Sequence, residues 1–464
     1  MKLYKNIEVK GINYRNITSL KIEENINEHS TAYIKGVLEE DSTLEGIYSL
    51  GFNSNISIKS EDQTLFSGLV ANLEFKKESN LQYLEVELKS HSLKLDIERV
   101  SRSFQDENIP YTTLFNQVGS NHDAVILDTA SEGKPQGQFY LQYMETDWNF
   151  LKRLASRLDA VIISHPKDDI PQIAIGKLGG NTYTVSPYNF RMGNLVGKYY
   201  ESSENFDGWD KLDFVNTVIE SEEIYSICDI IVCNGVEYLV AGKVSEFKEG
   251  VIINKNKLQP LSSFRQNRIY NDQLIGLSLD GKVIDIKEDK LKIELEIGEE
   301  QGSEKWFDFN TNYVAEGHTG TYIMPELCNY IQLYISDWDE EKCFVKPIIR
   351  KDGKINPKTQ DPDIKYFETI DGKELMLSPD TLSLTADHGK VYVKLQESGR
   401  NQEGGIYITS DHDIDLKSSK ISFEGEKINI DFGKMLSMKT EASSLFYDEN
   451  KLNGKGIDVA EFYS

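Results

Sequence analysis

The sequence predicts a mainly β protein in which barrels are interrupted by two helices, a further small barrel follows, and the chain ends in a β-helix that closes only with three copies. Three observations predict this. Apolar and polar residues alternate through most of the first 350 positions, only two windows carry helical spacing, and beyond residue 372 pairs of the form apolar-x-apolar return about every seven residues.

A chain of 464 residues exceeds one ordinary core and suggests about three domains at ~150 residues each. Hydrophobic content of 39% with 24 tyrosines is that of folded, strand-rich protein, far from a disordered composition. A formal charge of -25 argues against nucleic acid and anionic membrane as partners, because binding phosphate needs a basic field. Four cysteines (Cys228, Cys233, Cys328, Cys343) are too few for a disulfide framework, so they read as reduced and structural. Cys228 and Cys233, five apart in an apolar run, are expected on opposite faces of a strand, with no shared metal or bridge. The start Met1-Lys-Leu-Tyr-Lys-Asn-Ile lacks the apolar stretch of a signal peptide, and no run approaches ~18 apolar residues. Synthesis in the cytoplasm is expected, with any exit needing a dedicated machine.

The first strands lie between Ser30 and Leu95, where Ile56-x-Ile58, Leu73-x-Phe75 and Leu84-x-Val86-x-Leu88 alternate between breaks at Ser60-Glu61-Asp62 and Ser79-Asn80. This is an antiparallel sheet or barrel with one wet face. Pro110 then opens a helix carrying Leu114, Phe115 and Val118. A second helix starts near Thr146 as N-cap, with Asp147 in its first turn. Phe150, Leu151, Leu154, Ala155 and Leu158 form its apolar stripe, and Lys152, Arg153 and Arg157 are expected to stay wet. Strands resume at Ala160-Val-Ile-Ile163 and from Glu223 to Ile253, including Tyr238-Leu-Val240 after an Asn234-Gly235 turn. From Leu274 to Arg350 the alternation Val283-x-Asp-x-Lys, Leu291-x-Ile293-x-Leu295-x-Ile297, Ile331-x-Leu333-x-Ile335 and Phe344-x-Lys-x-Ile348 fits a five-stranded OB-like barrel. Lys351–Ile364, with Gly353, Pro357 and Pro362 among charges, reads as a linker.

After it come the pairs Leu375 and Leu377, Leu382 and Leu384, Val391 and Val393, Ile406 and Ile408, Ile414 and Leu416, Ile421 and Phe423, and Ile428 and Ile430. Turn formers separate them: Ser378-Pro379-Asp380, Asp387-His388-Gly389, Ser410-Asp411, Ser418-Ser419 and Glu424-Gly425. Short strands at a fixed step are expected to stack as parallel layers about 4.8 Å apart. A single-chain β-helix needs roughly 18 to 25 residues per coil, so seven or eight supply one face, and two further chains must supply the others. These fourteen residues are the expected trimer core. At ~1.5–3 kcal/mol each they represent roughly 20–40 kcal/mol of burial, an upper bound that a lone chain does not realise. A meander, the other reading of such triplets, usually has longer strands and less regular steps. A coiled coil fails, because the pairs sit at i and i+2 among β-branched and turn residues.

This order of parts resembles the spike proteins of contractile injection systems, the VgrG proteins of type VI secretion and the baseplate hub and needle proteins of contractile phage tails. Local stretches carry the likeness: Leu65-Phe-Ser-Gly-Leu-Val70, Ser103-Phe-Gln105 before the helix at Pro110, and Gln142-Tyr-Met-Glu-Thr-Asp-Trp-Asn-Phe-Leu-Lys-Arg-Leu154. Thr321-Tyr-Ile-Met-Pro-Glu-Leu-Cys-Asn-Tyr330 is similar to the family's P-E-x-G-D-x-V stretch, with Cys328-Asn329 where Gly-Asp is expected. The resemblance implies a hub of two β-barrels with a helical insert (1–270), an OB-fold barrel (271–350), a linker (351–371) and an intertwined trimeric β-helix needle with a terminal tip (372–464). It implies a homotrimer that meets a hexameric tube protein and baseplate proteins, with a PAAR-like tip protein or effector at the needle end. No nucleic acid is involved, and the target membrane is met by mechanical penetration. The particle would be assembled in the cytoplasm and ejected on contraction.

Candidate chemistry is sparse, and neither catalysis nor a cofactor is expected. About twenty residues between Arg350 and Gly372 leave no room for the ~150-residue lysozyme domain, with its carboxylate pair, that some members carry. After Ile430 remain 34 residues, about the size of a cap. Asp411-His412-Asp413 reads as a solvated turn, and without a His-x-His no tip metal is expected. Asp337–Glu341 is a calcium candidate better read as a barrel turn. Gly179-Gly180 lacks a basic partner for a phosphate cradle, and His318 lacks a nucleophile or carboxylate motif. The competing functions are a trimeric surface adhesin or carbohydrate-binding fibre, and an enzyme with an unrecognised carboxylate pair.

Overall fold

The computed structural model describes residues 7–51, 53–61, 63–186, 189–248, 251–298, 300–301, 304–311, 322–348, 356–399, 403–441, 444–448 and 451–455. The chain divides into two compact units, Met1–Lys351 and Asp352–Ser464.

The first unit opens with six strands: β1 (Ile7–Lys10), β2 (Tyr14–Asn25), β3 (Thr31–Leu38), β4 (Asn55–Ser60), β5 (Gln63–Glu78) and β6 (Leu81–Ser90). They pair antiparallel in the spatial order β1-β4-β5-β6-β3-β2. Alternation sorts their side chains: Leu84, Val86 and Leu88 of β6 join Ile34, Ile56, Ile58 and Phe66 in one core, while Glu85 and Glu87 face out. A five-residue helix α1 (Leu44–Tyr48), capped by the Thr43 hydroxyl, which accepts from Gly46 N, is too short to show a stripe in the sequence.

Next come β7 (Arg99–Phe104), α2 (Tyr111–Ser120), β8 (Val125–Asp128), β9 (Tyr140–Thr146), α3 (Asp147–Arg157), β10 (Ile162–His165) and β11 (Gln172–Ile175). Leu114, Phe115 and Val118 of α2 share a core with Phe150, Leu151 and Leu154 of α3, the two stripes expected from spacing. Pro110 is the N-cap of α2, and the Thr146 hydroxyl accepts from Asn149 N at 3.3 Å to cap α3. The expectation that three cations of α3 stay wet is corrected. Lys152 remains partly exposed, whereas Arg153 is fully buried and the Arg157 side chain is 4% exposed, because carboxylates from elsewhere in the fold reach them.

The chain continues with β12 (Thr182–Val185), β13 (Phe190–Asn194), α4 (Val196–Asn205), β14 (Val215–Ser221), β15 (Ile230–Cys233), β16 (Val236–Lys248) and β17 (Val251–Pro260). Asn234 and Gly235 have φ of 53° and 79°, so both central residues of the β15–β16 hairpin are left-handed, as a type I′ turn requires. The long β16 pairs with β17 on one side and β2 on the other, which fuses the early and late strands into a single 12-stranded sheet. Cys228 and Cys233 lie in the same core, not on opposite faces. Cys228 precedes β15 and takes φ 74°, so strand parity does not apply to it.

The small barrel contains β18 (Ser278–Lys287), β19 (Lys290–Leu295), β20 (Glu300–Gln301), β21 (Phe307–Asp308), β22 (Tyr330–Ile335) and β23 (Cys343–Pro347). Its sheet runs β21-β19-β18-β22-β23, and a bridge from Phe309 to Val345 joins the two ends. In β23 the buried residue is Val345; Phe344 is only partly buried. The sequence parity there is off by one, since Cys343, Phe344 and Val345 are all apolar. Short β20 leaves this barrel to pair in parallel with β7, and Gln105 Nε2 donates to Ile293 O at 3.3 Å.

The second unit begins with β24 (Lys365–Glu368), β25 (Glu374–Leu377), β26 (Thr381–Ala386), β27 (Val391–Gln396) and β28 (Gly405–Thr409), followed by β29 (Met435–Lys439), β30 (Ser444–Asp448) and β31 (Lys451–Lys455). Strand β24 therefore starts inside the segment expected to be linker. From β24 to β28 each strand pairs antiparallel with the next. This corrects the expected parallel layering within one chain: the turns around Ser378–Asp380 and Asp387–Gly389 reverse the chain, so sequence neighbours become hairpin partners. Residues 410–434 contain no strand.

Candidate functional site

Antiparallel pairing places directly opposed residues on one face. Phe367, Leu375, Leu384, Val393 and Ile408 are consecutive partners across β24–β28, and Leu377, Leu382, Leu395 and Ile406 form the adjacent row. One face of the sheet is thus apolar. Single-chain contacts leave it in water: Leu384 is 54% exposed, Ile406 71% and Ile408 55%. Of the fourteen expected core residues, Leu375, Leu377, Leu382, Leu384, Val393, Ile406 and Ile408 are brought together here, with Val391 opposite Ala386 on the same face. Ile414, Leu416, Ile421, Phe423, Ile428 and Ile430 are all exposed outside any strand. Phe367 and Leu395 complete the rows without having been singled out. Leu395 lay two positions past a recognised pair, where the same period marks it.

A second construction joins the helical insert to the small barrel. Arg153 Nη2 donates to Glu145 Oε2 at 3.0 Å and to Leu141 O at 2.8 Å, while Nη1 is bonded to Glu340. Arg157 Nη2 lies 3.5 Å from the other oxygen of Glu340, which has no exposed surface. Burial alone would lower the Arg153 pKa, but the two carboxylates outweigh it and hold the guanidinium above its ordinary value. Beside it, Gln142 accepts from Arg102 Nη2 at 2.7 Å and donates to Asp147 Oδ1 at 2.8 Å, and His122 contacts Asp147 Oδ2 at 2.9 Å. Gln142, Glu145, Asp147 and Arg153, four polar residues of the stretch Gln142–Leu154, are therefore part of a largely buried hydrogen-bonded network. Sequence reasoning missed Glu340, whose partner lies 187 positions away.

The remaining candidates resolve as follows. Within Asp337–Glu341, Glu340 faces Arg153 and Asp337 pairs with Lys342 at 2.8 Å, so the loop is a barrel turn with one carboxylate tucked inward. His412 is exposed and 3.9 Å from Asp411, a solvated turn. Among the described residues no group of three or more His, Cys, Asp or Glu side chains is placed to hold a metal ion, and no helix is long and apolar enough to cross a membrane. The Gly179-Gly180 segment is a loop before β12, with Gly180 against the Cys228 carbonyl. His318 and the residues after Lys455 lie outside the described residues. All four cysteines are free, and burial pushes the Cys228 thiol up to about 11 and Cys343 to about 12. Cys328 takes φ 65°, its N donating to Val283 O at 2.8 Å. The turn keeps the left-handed geometry that favours glycine despite carrying a side chain.

One arrangement of Ser, His and Asp was not expected. His29 Nδ1 is 2.7 Å from Ser92 Oγ and Nε2 is 3.2 Å from Asp96. Ser92 is buried and also bonded to Ser90, Asp96 accepts from Thr146 and Asn149, and Trp148 stacks on His29 at 4.1 Å. The hydroxyl has no open face toward a substrate, so this is a packing knot between the β1–β6 part of the large sheet and α3.

No protein-family model matches the chain, and no curated protein matches it. Solved structures do. The E. coli c3393 protein, described as a component of the type VI secretion system similar to bacteriophage tail proteins, aligns over 74% of this chain and 99% of its own at 12% identity, TM-score 0.53. A Francisella PdpA–VgrG complex aligns over 87% of this chain and 88% of its own at 10% identity, TM-score 0.54. A lidless PdpA–VgrG complex aligns over 88% and 99% at 10% identity, also with a TM-score of 0.54. A fused 12-stranded sheet, a helical insert, a small barrel and a strand-rich tail in one chain make this the fold of the VgrG-type spike and phage-tail proteins.

Proposed function

We propose that three copies of this chain form the hub and needle of a contractile injection apparatus. The hub caps the inner tube at the baseplate, and the needle punctures the target envelope without chemistry of its own. The observation that carries this reading is the exposed apolar face of β24–β28. Its nine aliphatic and aromatic side chains are worth ~1.5–3 kcal/mol each when fully buried, a gain that requires another surface. Two further copies supply it. The step of seven residues between pairs from Ile414 to Ile430 is too short for a full single-chain coil, which supports a copy number of three. The fourteen expected residues, with Phe367 and Leu395 added, line the axis.

The fold likeness supports the remaining partners: a hexameric tube protein at the hub, baseplate proteins around it, and a PAAR-like tip protein or effector at the needle end. The test is the mass of the purified full-length protein by sedimentation equilibrium across a dilution series. A trimer that persists in the micromolar range is expected; a monomer throughout removes the needle. A trimer that binds surface glycans and leaves a co-expressed tube protein unbound would make it an adhesin instead.

A further inference from the structure

In the first unit a cleft of about 810 Å³ opens between the end of α4, the segment 265–272 and the loop carrying Trp338. Its walls combine two features. Four aromatic rings line it, Phe206, Trp209, Tyr270 and Trp338, and Trp338 is half exposed. The chain already places a guanidinium on two of these rings: Arg265 lies 4.0 Å over Trp209 and Arg157 lies 4.7 Å over Tyr270. The second feature is charge. Asp159, Glu201, Asp207 and Asp272 line the same cleft, and none of these four carboxylates takes part in a salt bridge among the described residues, although Arg265 and Arg268 share the cleft. Arg265 is held by Asp213 and the Gly208 carbonyl, which leaves Arg268 as the remaining cation of the lining against four carboxylates, a net negative wall.

We propose that this cleft binds a basic peptide segment of a partner protein, with an arginine or lysine of that segment seated on the open side of Trp338 and its neighbours paired with Asp207 and Asp272. A cation over an indole face is attracted by the ring quadrupole, more strongly where water is excluded. Unpaired carboxylates around a concave wall focus a negative field on the same spot. A neutral glycan could stack on Trp338, but it would leave the four charges unanswered; that ligand is therefore the competing outcome.

The experiment titrates the full-length protein with a decapeptide of alternating Arg and Gly, with its Glu-Gly counterpart, and with a neutral chitin oligosaccharide, following tryptophan fluorescence and heat. Saturable binding of the Arg peptide alone is expected, weakening about tenfold between low and high salt because the charges are partly screened. Trp338→Ala and the double variant Asp207→Asn/Asp272→Asn, all at exposed positions, should each weaken it at least fivefold while leaving oligomer size and far-UV circular dichroism unchanged. No saturable binding of the Arg peptide overturns the proposal, as does binding that both variants leave intact. Binding of the oligosaccharide in its place overturns it in favour of a glycan site.

Discussion

The carboxylate of Glu340 and the guanidinium of Arg153 face one another with neither side chain exposed to solvent. One comes from a loop of the small barrel and the other from α3, so this ion pair, with Arg157 on the second oxygen of Glu340, helps fasten two regions 187 residues apart. Removing Glu340 leaves the buried Arg153 with Glu145 as its remaining carboxylate and takes the carboxylate partner away from Arg157. Glu340→Ala should destabilise the first unit by about 3 kcal/mol or more, read as a lower denaturant midpoint of the full-length protein. Asp337→Asn in the same loop, whose pair with Lys342 lies in water, should leave the midpoint where it is.

Gly298 has φ 49°, and a Cβ added there would enter the Ser101 carbonyl. It is the position at which the chain leaves β19 to place β20 beside β7. Gly298→Ala should cost about 1–3 kcal/mol and expose the β20 amides to hydrogen exchange while the amides of β18 and β22 stay protected.

Cys328 pays for a side chain in left-handed backbone, where an L-residue is worse off than glycine by about 1–2 kcal/mol. Cys328→Gly should therefore raise stability by up to about 1 kcal/mol, the rest being lost to the greater freedom of unfolded glycine. An unchanged or lowered midpoint would show that the Cys328 side chain contributes packing of its own.

Acid should loosen the hub through Asp96 and Asp128. Burial would raise both carboxyls, but hydrogen bonds from His29 and Thr146 to Asp96, and from Ser131 and Thr112 to Asp128, hold them below the ordinary 3.8. A depressed folded-state pKa adds stability that is present above the unfolded value and lost as pH falls through the folded one. Urea midpoints should therefore be flat in this respect down to pH ~4 and fall below it. Asp128→Asn should flatten part of that fall.

The proposed trimer should depend on one face of the β24–β28 sheet. Leu384→Asp or Ile408→Asp in the full chain places a charge on the apolar face and should convert trimers to monomers in sedimentation. Lys394→Gln, on the opposite face beside Tyr407, should leave them intact.

Sequence by itself determined the alternation of the first barrel strands such as β6, the hairpin turn before β16, and where α3 begins; it misread 414–430 as strands and β24 as linker. Each of the three determined features follows from neighbours within a few positions: the alternation of Leu84, Val86 and Leu88, the Asn234-Gly235 turn, and the Thr146 cap. It also determined that the tail carries a strip of apolar pairs with no partner of their own. The tertiary structure decided what each strip meets. Arg153 looked like a solvated helix cation because Glu340 is far away in sequence, Cys228 escaped strand parity through its left-handed turn, and β23 shifted by one because three adjacent residues were all apolar. The meander from β24 to β28 was decided in the same way: periodicity marks an inward face, but the direction of pairing is set by how sharply each turn reverses the chain.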